Sequence, residues 1–95
     1  MRFFKVVVKL GNGRQFFCRV MEISPSRVVL RGDYILPVGM ACDLQVIIPS
    51  LDEKMPSSSV DLRAEVHEVI FSEGYIHLEC RIKSLSNEAG KLLAA

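Results

Sequence analysis

The sequence predicts an all-β domain, a six-stranded antiparallel barrel followed by a short C-terminal helix. Apolar and polar residues alternate in run after run, Gly, Pro, Asn and Asp signals separate the runs, and six such runs follow one another at short, regular spacing. Strands joined by tight turns close into a barrel because closure removes exposed edges.

The first run, Phe3 to Leu10, places Val6, Val8 and Leu10 on one face and Lys5, Val7 and Lys9 on the other. Gly11-Asn12-Gly13 then tolerates positive φ, as a hairpin requires, and leads into a second strand, Gln15 to Ile23. Ser24-Pro25-Ser26 breaks that strand, Arg27 to Leu30 forms a short third one, and Gly32-Asp33 turns the chain. After a further turn at Pro37-Val38-Gly39, a fourth strand has Cys42, Leu44, Val46 and Ile48 on its apolar face.

Pro49 to Ser59, with its prolines, serines and charges, reads as a surface loop. In the fifth strand Leu62, Ala64 and Val66 share one parity but Val69 and Phe71 the other, which predicts a bulge near His67-Glu68. Glu73-Gly74 makes a hairpin into Tyr75 to Lys83, where Ile76, Leu78, Cys80 and Ile82 face one way. Ser86 caps a helix over Asn87 to Ala95, whose Leu92 and Leu93 are suited to covering one barrel opening.

A chain of 95 residues, 49% apolar and 24% charged, makes one domain, residues 1–95, with a single core. Its net charge of +1 supplies no field strong enough to recruit nucleic acid or anionic lipid unaided. Cys18, Cys42 and Cys80 are odd in number and embedded in apolar runs, as buried thiols of a reducing compartment would be. Without a signal-like start or a run of membrane-spanning length, the expected location is the cytoplasm, with no membrane insertion.

Catalytic chemistry finds no constellation. His67 and His77 read as solvated cross-strand residues with no nucleophile or acid at triad spacing, and the one Cys/His pair at close spacing, His77 and Cys80, falls on opposite faces of the sixth strand. Gly11-Asn12-Gly13 lacks the longer pattern and strand-to-helix setting of a phosphate loop. Phe16 and Phe17, near Arg14 and Arg19, make a stacking platform for single-stranded nucleic acid the alternative chemistry for a small barrel. Only one of the two adjacent rings can point into the core.

From Gly13 onward the order of signals resembles the PilZ family, six-stranded split barrels with a terminal helix that in many bacterial proteins bind cyclic diguanylate. Leu78-Glu79-Cys80-Arg81-Ile82-Lys83-Ser84-Leu85-Ser86 is similar to the family's closing strand and the start of its helix. Leu36-Pro37-Val38-Gly39-Met40, with Leu44 to Pro49, is similar to its turn and long fourth strand, and Arg63 to Val69 to its fifth. The family's DxSxxG motif falls on Glu22-Ile23-Ser24-Pro25-Ser26-Arg27, which keeps the serine, lengthens the acid and replaces the glycine by Arg27. Its RxxxR clamp is reduced to Arg2, because Val6 stands four positions on and Lys5 and Lys9 lack a planar bidentate face.

What the resemblance implies is a non-catalytic bacterial signalling module that works as an adaptor for a protein partner in a signalling or motility pathway. Cofactors are expected to be none, with cyclic diguanylate bound weakly or not at all; Arg2, Glu22, Ser24, Arg27 and Arg31 are the degenerate equivalents of its site. Phe16 or Phe17, together with Met55 in the long loop, is the expected contact surface. Two alternatives stay open: a cyclic diguanylate receptor using Arg2, Ser24, Arg27 and Arg31 in altered geometry, and a nucleic-acid-binding barrel.

Overall fold

A computed structural model describes residues 4–48 and 58–85. Six antiparallel strands, β1 (Phe4–Lys9), β2 (Gln15–Ile23), β3 (Arg27–Gly32), β4 (Ala41–Ile48), β5 (Ser58–Ser72) and β6 (Tyr75–Leu85), close into a barrel in the order β1-β2-β3-β6-β5-β4. The ring consists of two three-stranded meanders, β1–β3 and β4–β6, zipped along a β1/β4 seam and a β3/β6 seam. Arg2, Met55 and the expected helix over Asn87 to Ala95 lie outside the described residues.

Alternation decides which side chains fill the barrel. Val6 and Val8, Phe16, Cys18 and Val20, Val28 and Leu30, Cys42, Leu44 and Val46, Val60 to Val66 in steps of two, and Leu78 and Cys80 all point inward and are buried. Removing a valine or leucine side chain from water in this way contributes about 1.5–3 kcal/mol each. Among the described residues no buried polar or charged residue interrupts this interior.

Three bulges keep it apolar. The register shifts between Val20 and Glu22 of β2 and between Val66 and Glu68 of β5, leaving Met21 and His67 as extra residues. A third shift, between Arg63 and Ala64 of β5, leaves Lys83 as the extra residue on β6. Uninterrupted alternation would aim Glu22, Glu68 and Ser84 at the core; all three are instead exposed. The sequence pattern anticipates the bulge at His67-Glu68 and not the other two.

Several element limits differ from the sequence expectation. Ser58 and Ser59, read as loop, belong to β5, where they face Ile48 and Ile47 of β4 and extend the ladder. Gly32, read as a turn residue, ends β3 opposite Ile76, and β6 runs on to Leu85. Phe71, expected to share the inward parity of Val69, is 68% exposed because the β5–β6 hairpin projects past the end of the core, whereas Val69 packs against it. Leu36, in the connection between β3 and β4, is buried, and the Gly39 amide donates to the Val66 carbonyl at 2.7 Å, tying that connection to β5.

Candidate functional site

The outer surface of β2, β3 and β6 carries most of the residues singled out in the sequence. Glu22 leaves β2 just after its bulge, and Arg27 opens β3 directly opposite Arg81 of β6. The Arg27 guanidinium lies 3.1 Å from the Glu79 carboxylate and 3.5 Å from that of Glu22, bridging β2 to β6 across β3. All three side chains reach solvent, so the network is worth little as stability, within about 1 kcal/mol per pair. Its consequence is that the Arg27 charge is directed to the chain's own carboxylates.

Ser24 is engaged locally. Its backbone N–H donates to the Arg27 carbonyl at 2.8 Å and its hydroxyl donates to the same oxygen at 3.3 Å, closing the β2–β3 turn. Beside it a shallow groove of about 380 Å³ is lined by Met21, Glu22, Ile23, Ser24 and Arg27. Thus Glu22, Ser24 and Arg27 meet at one place. Arg31 does not join them: four positions along β3 on the same face, it stands about 13 Å away along the strand. Its guanidinium lies 4.3 Å from the centre of the Tyr75 ring.

The two phenylalanines separate as strand geometry requires. Phe16 is in the core, 9% exposed, with its ring 4.6 Å from that of Tyr34, so it supplies no outer contact surface. Phe17 is 64% exposed, with the Lys5 ammonium 5.5 Å from its ring centre. Around it a second groove, of about 580 Å³, is lined by Lys5, Phe17, Arg19, Arg31, Asp33 and Tyr75 among others. Strand parity marks Lys5, Arg19 and Tyr75 as outward, but only the pairing register brings them together, and one sequence does not state a register.

The three thiols are unbridged and buried inside the barrel. Burial pushes Cys18 up to about 11, with smaller contributions from Cys42 and Asp33. Cys42 lies opposite Ala64 of β5, and Cys80 lies opposite Val66, the next inward residue of that strand. A hydrogen bond from Cys80 draws Cys42 down against the opposing effect of burial, and the same bond, followed by burial, pushes Cys80 up. Among the described residues no group of three His, Cys, Asp or Glu side chains is placed to hold a metal ion, and no helix is long and apolar enough to cross a membrane.

No protein-family model matches the chain, and no curated protein matches it. Among solved structures, the inhibitor of motility (MotI/DgrA) of Bacillus subtilis is similar, with a TM-score of 0.80 at 10% sequence identity over 97% of this chain. The match takes in 44% of that protein, so this chain spans less than half its length. At such low identity the likeness speaks for architecture, and the chain is a six-stranded antiparallel all-β barrel of the kind found in that motility inhibitor.

Proposed function

We propose that the protein is a non-catalytic, PilZ-like signalling module that acts by recognising another protein in a bacterial signalling or motility pathway, and that cyclic diguanylate binds weakly or not at all. The observation that carries this reading is Arg27. It occupies the position where the family's ligand motif has glycine, and it is held there by Glu22 and Glu79 at 3.5 and 3.1 Å. A guanine or phosphate approaching that backbone meets a long side chain, and binding it costs two ion pairs. Four positions on from Arg2 stands Val6, so no bidentate pair runs forward from that arginine. Two lost charge-assisted contacts, at about 1.5–3 kcal/mol each, lower affinity by roughly 10² to 10⁴-fold. Likeness to a structure described as an inhibitor of motility supports the choice of pathway.

Titration calorimetry with cyclic diguanylate, paired with affinity capture from a bacterial lysate in its presence and absence, tests the reading. The expected outcome is no saturable heat below about 100 µM ligand and a discrete captured protein whose yield ignores the dinucleotide. Micromolar binding abolished by Arg27→Ala, or capture that requires the dinucleotide, overturns it.

A further inference from the structure

Barrel closure pairs each strand on both sides, but β5 outruns its neighbour. On the side of β5 away from β6, β4 lies alongside from Ser58 to Glu65, and then Met40 and Gly39 exchange hydrogen bonds with Val66 at 2.9 and 2.7 Å. Beyond Val66 no described residue pairs with that side, although β5 continues to Ser72. β6 covers the other side, opposite each residue from Glu68 to Ser72.

The hairpin turn decides which backbone groups are left over. Only Glu73 and Gly74 separate Ser72 from Tyr75, so that flanking pair exchanges both of its hydrogen bonds, and alternation repeats the exchange at Ile70 and His77. Val69 and Phe71 fall in the intervening pairs, so their N–H and C=O groups point away from β6, toward the side without a strand. The side chains there are apolar: Ile70 is 42% exposed and Phe71 68%. At the opposite rim, where β5 outruns β6 and β6 outruns β3 among the described residues, Ser59, Asp61, Lys83 and Ser84 are exposed instead. Polar and charged residues of that kind discourage edge pairing, and neither Lys nor Pro occurs between His67 and Ser72.

We infer that this edge is a contact between two copies of the chain: β5 of one pairs antiparallel with β5 of the other about a two-fold axis through Ile70, joining both hairpins into one four-stranded sheet. The edge carries its own complement in that register. Val69 of each copy faces Phe71 of the other, so four hydrogen bonds satisfy the leftover groups and valine meets phenylalanine on the inward face. Ile70 meets Ile70 on the outward face. Glu68 falls opposite Ser72, and Glu73 opposite His67, whose ring nitrogen lies 3.2 Å from the Arg81 guanidinium, so an acid meets a basic pair at each end. An axis at Val69 would set Glu68 against Ile70, and one at Phe71 would set Glu73 against Val69. Ile70 is therefore the centre that places no charge against an apolar side chain.

Length limits the strength. Met40 and Gly39 stop the incoming strand at Val66, leaving the six residues from His67 to Ser72 to be covered. A contact of that length falls below the roughly 1,200 Å² of stable interfaces, so the dimer should be weak, with a Kd of roughly 10–500 µM. The protein-recognition reading above does not depend on it.

Sedimentation equilibrium of the full chain from about 10 µM to about 1 mM, with amide spectra over the same range, tests the contact. Mass should rise from monomer toward dimer, and the amide signals of Val69 and Phe71 should shift with concentration. Ile70→Lys and Ile70→Glu each oppose two like charges on the axis, and each should weaken association about tenfold or more. Mixed one to one, the two variants set lysine against glutamate and should associate at least about fivefold more tightly than either alone. Phe17→Lys, the same charge change at an exposed ring on β2, should leave association within about twofold. Amide spectra establish that each variant keeps the barrel.

A chain still monomeric at about 1 mM, association indifferent to Ile70→Lys, concentration-dependent shifts that avoid Val69 and Phe71, or no recovery on mixing overturns the inference. A monomeric chain whose captured partner is lost in Ile70→Lys gives the edge to a foreign strand and overturns the second copy as its occupant.

Discussion

At Gly32 a Cβ would sit 2.8 Å from the Cys18 sulfur, closer than such atoms approach in folded proteins. The glycine is there because β3 presses against an inward thiol on β2, and turn chemistry has no part in it. Gly32→Ala should therefore cost about 1–3 kcal/mol, measured by urea unfolding, through forced displacement of a buried side chain. Cys18→Ala alone loses packing, yet in the double variant it opens the space the new methyl needs. The two costs should fall short of their sum by about 1 kcal/mol or more; additivity within roughly 0.5 kcal/mol would show that the close approach is not the reason for glycine. Phe16 and Phe17 make a similar point. That one ring must face outward was legible from strand geometry, but which one follows from the phase set by Cys18 and Val20 in the core.

Turns, strands and bulges differ in how openly the sequence displays them. The β5–β6 hairpin was legible from Glu73-Gly74 flanked by alternating runs. The structure gives both residues left-handed backbone, with φ of 54° and 80°, as a two-residue primed turn needs. Glu73 is a poor occupant of that conformation and asparagine a good one. Glu73→Asn should stabilise the protein by a few tenths to about 1 kcal/mol, seen as a rise in Tm of roughly 1–8 °C; a lower Tm would refute the turn assignment. The bulge at His67-Glu68 was visible because Val69 changes parity after a glutamate. The same signature exists at Val20-Met21-Glu22 and at Ile82-Lys83-Ser84, where a polar residue falls on the inward phase, but runs of mixed polarity hide it. Ser58 and Ser59 were missed because nothing in a serine pair resembles a strand until Ile47 and Ile48 lie opposite. For the candidate site, the resemblance to the DxSxxG motif singled out Glu22, Ser24 and Arg27 together. It did not reveal the alignment of Lys5, Arg19 and Arg31, which exists only once two pairing registers are fixed.

Across the whole molecule, the ring β1-β2-β3-β6-β5-β4 means that neither meander can satisfy its outer strands alone. Each lends one edge to the β1/β4 seam, the other to the β3/β6 seam, and half of the residues that fill the interior. A single covalent passage, residues 33–40, connects them. Chain continuity there contributes effective concentration, while recognition between the halves is written in the two seams and the shared lining. Severed between Pro37 and Val38 and produced together, residues 1–37 and 38–95 should assemble into a one-to-one heterodimer with the intact protein's amide spectrum. Either fragment by itself should aggregate, and recovery of a folded, monomeric fragment would contradict this picture. Fused separately to the halves of a reporter, the two pieces would make a self-associating tag whose assembly is governed by barrel closure.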